Sequence, residues 1–489
     1  MEWNLADSGA VAVFVETADH RALVEGVRGR VPGLSQLWQI EAGGVEEVSA
    51  AGADVPDSAV DERRAGTKGD SLATIIYTSG TTGRPKGCEL THSNIYFDIS
   101  NAIPGLSDLF NKQGSTLLFL PLAHVFARLI QCGAVQTGTR LGHTADVKNL
   151  LGDLAAFQPT FILSVPRVFE KVYNASKQKA HAAGKGKIFN TAEDTAIAYS
   201  QALDSGGAGM LLKAKHGVFD KLVYSKLRAA LGGRCHSAVS GGAPLGARLG
   251  HFYRGIGLTV YEGYGLTETS AASTVNLATA LRIGTVGKPL PGMAVRIADD
   301  GEVLIKGPHV FGGYWKNEAA TKEVFSDDGW FHSGDIGELD SDGFLKITGR
   351  KKEIIVTASG KNVAPAVLED RLRAHPLISQ CMVVGDQQPF IACLITIDPE
   401  AFPAWKEQHG KPAEATVADL REDPEMQGEI QSAVDEANKA VSGAESIRKF
   451  RILDQDFTEE GGELTPTLKL KRAVVLDQHG AEVDALYAR

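Results

Sequence analysis

The stretch that most constrains this chain is residues 77–87, which read Tyr-Thr-Ser-Gly-Thr-Thr-Gly-Arg-Pro-Lys-Gly. Residues 73–76 before it form a short apolar run that predicts a buried strand, and Thr91 after it is a good helix N-cap. Three glycines permit close backbone approach, three threonines and a serine supply hydroxyls, and Lys86 supplies a cation. A loop of this composition between a strand and a helix predicts an oxyanion site, and phosphate is the anion that suits it best.

This loop differs from a Walker A loop. Walker A requires Gly-Lys followed by Ser or Thr, whereas here Pro85 precedes Lys86 and Gly87 follows it. The sequence therefore disfavours a kinase or GTPase of that type. A flexible polar turn would explain one or two glycines, but not so many glycines, hydroxyls and cations together.

Length, charge and cysteine content limit the class of protein. A chain of 489 residues exceeds one ordinary core, so a large domain and a smaller one are expected. A net charge of −10 argues against a nucleic-acid-binding surface. Five scattered cysteines without zinc-ligand spacing predict reduced core thiols in a cytoplasmic protein. No apolar run reaches the roughly 18 residues of a membrane-spanning helix, and peripheral contact with the inner face of the membrane stays open.

Short apolar strands alternate with helices along most of the chain. Residues 42–70 predict a polar connection into the anion loop, and buried strands are predicted at residues 11–15, 115–120, 161–165, 236–239 and 258–260. This order favours an α/β fold in which mixed or parallel sheets are flanked by helices. From about Ile283, tight turns between short strands predict an antiparallel subdomain. The order of elements after residue 352 predicts a small α+β domain.

Polar loops that contain glycine follow several of the predicted strands. Val239 leads into residues 240–244, Val260 leads into residues 261–268, and Leu120 leads into Pro121-Leu122-Ala123-His124. Because ligands of parallel sheets gather at the carboxyl ends of the strands, these loops and the anion loop are expected to meet at one site.

Five motifs, in this order, resemble the adenylate-forming superfamily of acyl-CoA synthetases, luciferases and peptide-synthetase adenylation domains. They span nearly 400 residues and consist of residues 77–87, Tyr264-Gly265-Leu266-Thr267-Glu268, Ser333-Gly334-Asp335, Gly349-Arg350 and residues 464–472. Within the superfamily, residues 121–124, 349–355 and 464–472 are most similar to long-chain fatty-acid CoA ligases. The resemblance implies a large domain at residues 1–348, a hinge at 349–352 and a small mobile domain at 353–489.

The resemblance also implies a two-step reaction. A fatty-acid carboxylate attacks the α-phosphate of magnesium-bound ATP, which gives acyl-adenylate and pyrophosphate; the small domain then rotates, and the thiol of CoA attacks the adenylate. Glu268 would hold Mg²⁺, and Thr267 would contact a phosphate beside it. The pyrophosphate would be held by Thr78, Ser79, Gly80, Thr81, Thr82, Gly83 and Lys86.

Further roles follow from the same resemblance. Tyr264, with Gly265 beside it, would stack on adenine. Asp335 would accept hydrogen bonds from the ribose hydroxyls, and Arg350 would bind ribose or phosphate. The opposite wall of the adenine slot would be formed by Gly242, Ala243 and Pro244. His124 would gate the acyl site, and Lys352 lies in the hinge.

Two lysines compete for the catalytic role in the first step. Lys469 matches the lysine of the family motif, and Lys471 lies two residues further on. In an extended segment both side chains would point to the same face, so the sequence does not separate them.

Some of these residues also have purely structural explanations. Glu268 could be an acid at a helix start, Asp335 a turn cap and His124 a packing residue, and Cys88 is expected to be buried filler. Five ordered motifs favour the functional roles of Glu268 and Asp335. Two other functions stay open: a fatty acyl-AMP ligase that loads a carrier protein, and a non-catalytic nucleotide-binding remnant. The remnant is considered because the anion loop lies nearer to Met1 than the family pattern implies.

Overall fold

The computed structural model describes residues 1–78, 84–144, 149–465 and 468–488. Its first elements are α1 (Glu2–Ser8), β1 (Ala12–Val15), α2 (Ala18–Arg28), β2 (Gln36–Gln39), α3 (Gly44–Ala51) and α4 (Asp57–Gly66). The prediction of a polar connection at residues 42–70 was wrong, because Gly52 and Pro56 separate two helices.

The strand predicted at residues 11–15 is present but mostly exposed. It pairs only with β2 in a two-stranded sheet, and Phe14 packs on Trp38 at the surface.

The anion loop connects two paired strands. These are β3 (Leu72–Thr78) and β4 (Lys86–Thr91), which run antiparallel and place Thr78 opposite Lys86. In β3, only Ile76 is fully buried, so the expected buried strand is largely half-exposed. Helix α5 (His92–Gly105) follows, and Thr91 caps it as predicted by accepting the Asn94 N–H at 3.1 Å.

Sheets of mixed direction form the centre of the large lobe. One pairs β5 (Ser115–Leu118) with β6 (Arg140–His143) in parallel. The other is five-stranded: its parallel strands are β7 (Phe161–Ser164), β8 (Ser237–Ser240) and β9 (Thr259–Tyr264), and its antiparallel edge is β10 (Thr274–Val275) and β11 (Lys288–Pro289). The predicted α/β class is confirmed. The loop predicted to begin at Tyr261 is wrong at its start, because β9 continues to Tyr264.

Helices cover these sheets. They are α6 (Val125–Thr137), α7 (Leu150–Phe157), α8 (Pro166–Ala182), α9 (Gly186–Asp204), α10 (Met210–Phe219), α11 (Ser225–Ala230) and α12 (Ala247–Gly255), with a π-helical turn at Asp220–Tyr224. Aromatic side chains such as Phe169, Tyr173 and Tyr253 pack between helices and sheet and are almost fully buried. The carboxyl ends of β8 and β9 are therefore held on a rigid support.

The predicted antiparallel subdomain is confirmed. It is a four-stranded sheet of β12 (Ala294–Ile297), β13 (Glu302–Lys306), β14 (Phe331–Leu339) and β15 (Leu345–Arg350), with α13 (Glu318–Glu323) beside it. The register places Asp335 directly opposite Arg350. Two predicted nucleotide-binding residues are thus neighbours in one sheet.

The remaining elements form a small lobe with its own buried clusters. They are β16 (Ile355–Val356), β17 (Asn362–Val363), α14 (Pro365–Arg373), β18 (Ile378–Val384), β19 (Ile391–Ile397), α15 (Phe402–Gln408), α16 (Val417–Leu420), α17 (Pro424–Asn438), β20 (Ile447–Ile452), α18 (Arg472–Gln478) and α19 (Gly480–Tyr487). Its core residues, from Ile355 to Leu486, cluster apart from those of the large lobe. Lys352 lies in a 3₁₀ turn, Lys351–Glu353, just before this lobe. The division at residues 349–352 stays a prediction, which the separate cores support.

Four polar contacts of the described residues join α8 of the large lobe to the small lobe. In one of them the Arg167 guanidinium lies 4.0 Å from the Asp398 carboxylate. Arg167 donates to Ser379 Oγ at 3.3 Å, the Lys171 ammonium lies 3.0 Å from the Glu400 carboxylate, and Gln178 donates to the Pro376 carbonyl at 3.3 Å. The Lys171–Glu400 pair is largely exposed, so its stabilisation is small. The lobes therefore meet through contacts that a rotation could break.

Burial and helix length bear on two further expectations. Cys88, Cys235, Cys381 and Cys393 are buried, but Cys132 is exposed, so the prediction of core thiols was wrong for that residue. Across the described ranges, every helix is too short or too polar to cross a membrane.

Candidate nucleotide and acyl site

A cavity of about 180 Å³ lies where the loops after β8 and β9 meet the small lobe. Helices α5 and α6 and the segment just after α5 supply an apolar part of its wall, which includes Ala102, Ile103, Leu106, Phe110, Phe126 and Ile130. The motif residues on its wall include His124, Gly242, Tyr264, Gly265, Thr267 and Lys469. Predicted site residues from distant parts of the sequence therefore line one space. That space combines polar groups with a surface suited to an alkyl chain.

Thr267 and Glu268 follow β9 in a 3₁₀ turn, Thr267–Thr269. Among the hydrogen bonds that hold the turn, the Leu266 N–H donates to Thr269 Oγ1 at 2.9 Å, and the Phe311 N–H donates to the Glu268 carbonyl at 2.8 Å. The hydroxyl of Tyr314 donates to Glu268 Oε1 at 2.8 Å. Sequence reasoning missed Tyr314, although the paired aromatic residues Tyr314 and Trp315 after two glycines could have drawn attention to it.

Asp335, Tyr264 and Arg350 form a connected group. The Tyr264 hydroxyl donates to Asp335 Oδ2 at 2.7 Å, and Arg350 Nε lies 3.1 Å from Asp335 Oδ1. Burial and then the nearby Asp335 charge raise the pKa of Tyr264 well above its ordinary value, so its hydroxyl stays protonated. The sequence placed all three at the nucleotide but did not predict that Tyr264 is bonded to Asp335.

Lys469 reaches the cavity from the small lobe. Its backbone is hydrogen-bonded to Thr465: the Thr465 N–H donates to the Lys469 carbonyl at 2.9 Å, and the Lys469 N–H donates to Thr465 Oγ1 at 3.0 Å. The neighbouring Leu468 takes a left-handed φ of 59°. A Cβ placed on Gly242 would lie 4.0 Å from Lys469 Cε. The other candidate, Lys471, instead precedes helix α18, and its backbone N–H donates to the Glu463 carbonyl.

The charge environment of Lys469 contains groups of both signs. The side chain retains contact with solvent through the cleft, yet the protein around it removes much of its hydration, and this lowers the pKa of Lys469. Arg350 lowers that pKa further, whereas Asp335 and Glu268 oppose the change. Lys469 therefore lies within electrostatic range of three other predicted site residues.

His124 directly precedes helix α6 and lines the cavity. Desolvation and then the positive charge of Lys469 lower the pKa of His124 below its ordinary value. The ring is consequently neutral at pH 7, which suits a wall beside an alkyl chain better than an imidazolium would.

The ends of the anion loop are described, and its tip is not. The predicted residues Ser79, Gly80, Thr81, Thr82 and Gly83 lie outside the described residues. Thr78 Oγ1 donates to the Lys86 carbonyl at 3.4 Å. The adenine-wall residues Ala243 and Pro244 are exposed near the cavity, beside Gly242.

Helix α1 braces both sides of this loop. Trp3 Nε1 donates to the Pro85 carbonyl at 2.9 Å, and the Tyr77 hydroxyl donates to the Asp7 carboxylate at 2.6 Å. The Arg84 guanidinium lies 4.8 Å from the Trp3 ring centroid. No sequence motif indicated this brace, because it depends on residues about 80 positions apart.

Few of the described side chains in the site could bind a metal ion. Among the described residues, no three His, Cys, Asp or Glu side chains converge on a metal-sized site. Glu268 is a hard oxygen ligand beside the cavity. This arrangement fits Mg²⁺, which is commonly held by one or two carboxylates together with substrate phosphates and water.

Comparison with known proteins assigns the family. The model for "AMP-binding enzyme" matches residues 1–315, and that for "AMP-binding enzyme C-terminal domain" matches residues 352–489. The long-chain-fatty-acid–CoA ligase FadD15 of Mycobacterium tuberculosis is 58% identical over 490 residues, covering 100% of this chain and 82% of the relative.

Solved structures agree on the fold. The ATP-bound MatB of Rhodopseudomonas palustris superposes with a TM-score of 0.67 at 22% identity, over 98% of this chain and 81% of that one. The AMP complex of the A-PCP didomain of carboxylic acid reductase from Segniliparus rugosus gives 0.71 at 21% identity, over 100% and 66%. The superfamily resemblance seen in the motifs is confirmed by the two family models and by the 58% identical relative, and the chain belongs to the AMP-binding enzyme family.

Proposed function

We propose that this protein activates a long-chain fatty acid with ATP and transfers the acyl group to CoA, forming acyl-CoA, AMP and pyrophosphate. The observation that carries the proposal is the single cavity whose wall combines the apolar faces of α5 and α6 with nucleotide-binding motifs and Lys469. The 58% identity to a long-chain-fatty-acid–CoA ligase supports the substrate class.

In the first step a carboxylate oxygen of the fatty acid attacks the α-phosphorus of ATP. The bond from that phosphorus to the oxygen bridging to the β-phosphate breaks, and pyrophosphate leaves with the bonding electrons. Lys469 lies between the nucleotide-binding groups and the acyl wall and offsets the repulsion between the two anions as they approach. A fixed cation in a partly desolvated cleft contributes more than it would in water.

The nucleotide is oriented by groups on the large lobe. The carboxylate of Asp335 is buried between β14 and β15 and accepts hydrogen bonds from the ribose hydroxyls, and Arg350 beside it binds ribose or phosphate. The Tyr264 ring, held by its bond to Asp335, stacks on adenine opposite Gly242.

The departing pyrophosphate lies against Thr78, Lys86 and the loop between them. Glu268 would hold magnesium, and Thr267 would contact the adjoining phosphate. Bound magnesium would neutralise phosphate charge. The protein's own part is to present the Glu268 carboxylate and the Lys86 ammonium, which both contact Tyr314.

In the second step the small lobe rotates about residues 349–352, which include Lys352. The sulfur of CoA attacks the acyl carbonyl carbon, the bond from that carbon to the AMP oxygen breaks, and the thiol proton passes to solvent. The few polar contacts between α8 and the small lobe are consistent with such a rotation.

The test is to incubate the purified protein with ATP, Mg²⁺ and palmitate, with and without CoA, and to measure pyrophosphate and palmitoyl-CoA. We expect palmitate-dependent pyrophosphate release and, with CoA, stoichiometric palmitoyl-CoA; octanoate serves as the short-chain comparison. Accumulation of palmitoyl-AMP that CoA does not consume would favour the carrier-loading ligase. ATP binding without palmitate-dependent pyrophosphate release would favour the non-catalytic remnant.

A further inference from the structure

Tyr314 lies between two residues that the proposed function places at the ATP phosphates. Its hydroxyl donates to Glu268 Oε1 at 2.8 Å, and its ring centroid lies 4.9 Å from the ammonium nitrogen of Lys86. Glu268 follows strand β9, and Lys86 begins strand β4. One side chain thus contacts the carboxylate of one loop and the cation of another.

The backbone holds Tyr314 firmly in this position. Tyr314 forms a β-bridge with Cys88, and the N–H of Trp315 donates to the Gly87 carbonyl at 2.8 Å. The Tyr314 N–H donates to Thr321 Oγ1 at 2.9 Å. The Phe311 ring packs edge-on against the Tyr314 ring at 4.9 Å. The aromatic ring therefore has little freedom to leave the space between Lys86 and Glu268.

The direction of the hydrogen bond follows from the chemistry of the two groups. An ionised carboxylate can only accept a hydrogen bond, so the Tyr314 hydroxyl is the donor to Glu268 Oε1. Because one oxygen of Glu268 is used in this way, the carboxylate rotamer is restrained and its second oxygen remains for a ligand.

The ring also acts as a spacer. Among the described residues, no ion pair joins Lys86 to Glu268, although both lie beside Tyr314. A direct pair would neutralise both charges and would have to be broken before either could bind phosphate or metal. The aromatic face instead offers Lys86 a weak cation–π contact, which a phosphate readily replaces.

We propose that Tyr314 is a positioning residue that orients the Glu268 carboxylate for magnesium-bound ATP and keeps it apart from Lys86. The proposal rests on the metal-binding role of Glu268 proposed above. Tyr314 does not touch the reacting atoms. It acts through Glu268, so its removal weakens metal binding rather than the attack on phosphorus.

The experiment measures metal binding without turnover. Mn²⁺ is titrated into the protein in complex with an ATP analogue that carries a methylene between the α- and β-phosphates, and bound Mn²⁺ is followed by electron paramagnetic resonance. Tyr314→Phe removes the hydroxyl but keeps the spacer, and we expect roughly tenfold weaker Mn²⁺ binding, the lower range for a hydrogen bond to a charged group. The Mg²⁺ concentration that half-saturates pyrophosphate release should rise similarly, while the KM for palmitate stays constant.

Two variants serve as controls. Tyr96→Phe makes the same chemical change at a tyrosine that is 68% exposed, and it should leave Mn²⁺ binding unchanged. Glu268→Asp breaks the same hydrogen bond from the other side by shortening the carboxylate arm. If the two groups act as one unit, the double variant Tyr314→Phe/Glu268→Asp loses little more affinity than either single variant.

The outcomes separate this inference from the proposed function. If Glu268→Gln binds Mn²⁺ as the wild type does, the metal role of Glu268 fails and the inference fails with it. If Glu268→Gln loses Mn²⁺ but Tyr314→Phe does not, the metal role stands and Tyr314 is only a packing residue. Additive losses in the double variant would also overturn the inference, even if Tyr314→Phe lowers the thermal stability.

Discussion

The ribose end of the site and the Lys469 segment are built in opposite ways. Asp335 is 5% exposed and belongs to strand β14, opposite Arg350 of β15, with Tyr264 and Arg350 bonded to its two oxygens. Lys469 instead belongs to a segment of the small lobe whose backbone is bonded to the Thr465 N–H and to Thr465 Oγ1, with a bridge between Leu464 and Leu470 beside it.

This difference separates the residues proposed to bind the nucleotide from the lysine proposed to act in the reaction. On the proposed mechanism, the groups that hold the adenosine part of the nucleotide in both steps are preorganised on the rigid sheet, where their hydrogen bonds lose little entropy on binding. The lysine proposed for the first step alone would be carried by a lobe that moves away, which would leave room for the thiol of CoA.

The largest effect is expected from Lys469→Ala. Loss of the cation should slow adenylate formation roughly a hundred- to a thousandfold, as for other single groups that stabilise transition-state charge. Palmitate-dependent pyrophosphate release measures this step. Thioester formation from supplied palmitoyl-AMP and CoA should change little. Equal loss in both reactions, or a matching first-step defect in Lys471→Ala, would mean that the lysine is wrongly assigned.

Asp335→Ala should act mainly on nucleotide affinity. The substitution removes the ribose acceptor and leaves the Tyr264 hydroxyl and Arg350 without their shared partner, so we expect the KM for ATP to rise roughly ten- to a hundredfold. Steady-state kinetics at saturating palmitate checks this, and Asp335→Asn, which keeps one acceptor oxygen, should lose less. A fall in kcat without a change in KM would contradict the rigid binding role.

Lys352→Pro tests whether the small lobe rotates between the two steps. Proline restricts φ in the turn between the lobes, so the CoA step should slow by about tenfold, while adenylate formation changes less. Rapid-quench measurement of palmitoyl-AMP and palmitoyl-CoA in one reaction separates the steps. Lys352→Ala is the control, and it should leave both steps near wild type. Lys346→Pro would not serve as a control, because Lys346 lies inside strand β15. A defect confined to the first step would argue against rotation at this turn.

The smallest effect concerns the pH dependence of Lys469. Its pKa lies below the ordinary lysine value, so the cation is lost, and adenylate formation declines, at a lower pH than for an ordinary lysine. The Glu353 carboxylate raises that pKa, and Glu353→Gln should therefore move the alkaline limb of kcat/KM further down by a fraction of a pH unit. Glu338→Gln, which removes an exposed carboxylate paired with Lys346, is the control. An upward shift in Glu353→Gln would show that another group controls this limb.

The site residues carried by the rigid sheet were easier to predict than the segments that connect the strands and helices around them. The motifs at Tyr264–Glu268 and Asp335 were found because residue type and order indicate them locally, and the antiparallel subdomain was found from its turns. The helices α3 and α4 were missed, because Gly52 and Pro56 mark the break between two helices as readily as a loop. Burial of β1 was mispredicted, because an apolar run does not reveal whether a neighbouring element covers it.

The sequence by itself determined the family, the α/β class and the chemical types of the site residues, since each depends on local composition and on the order of motifs along the chain. Tertiary structure decided which groups touch: that Tyr264 bonds to Asp335, that Lys469 rather than Lys471 lines the cavity, and that Tyr314 stands between Lys86 and Glu268. These contacts join residues far apart in the chain. Strand register and the contact between the two lobes bring these residues together, and neither can be predicted from local sequence propensity.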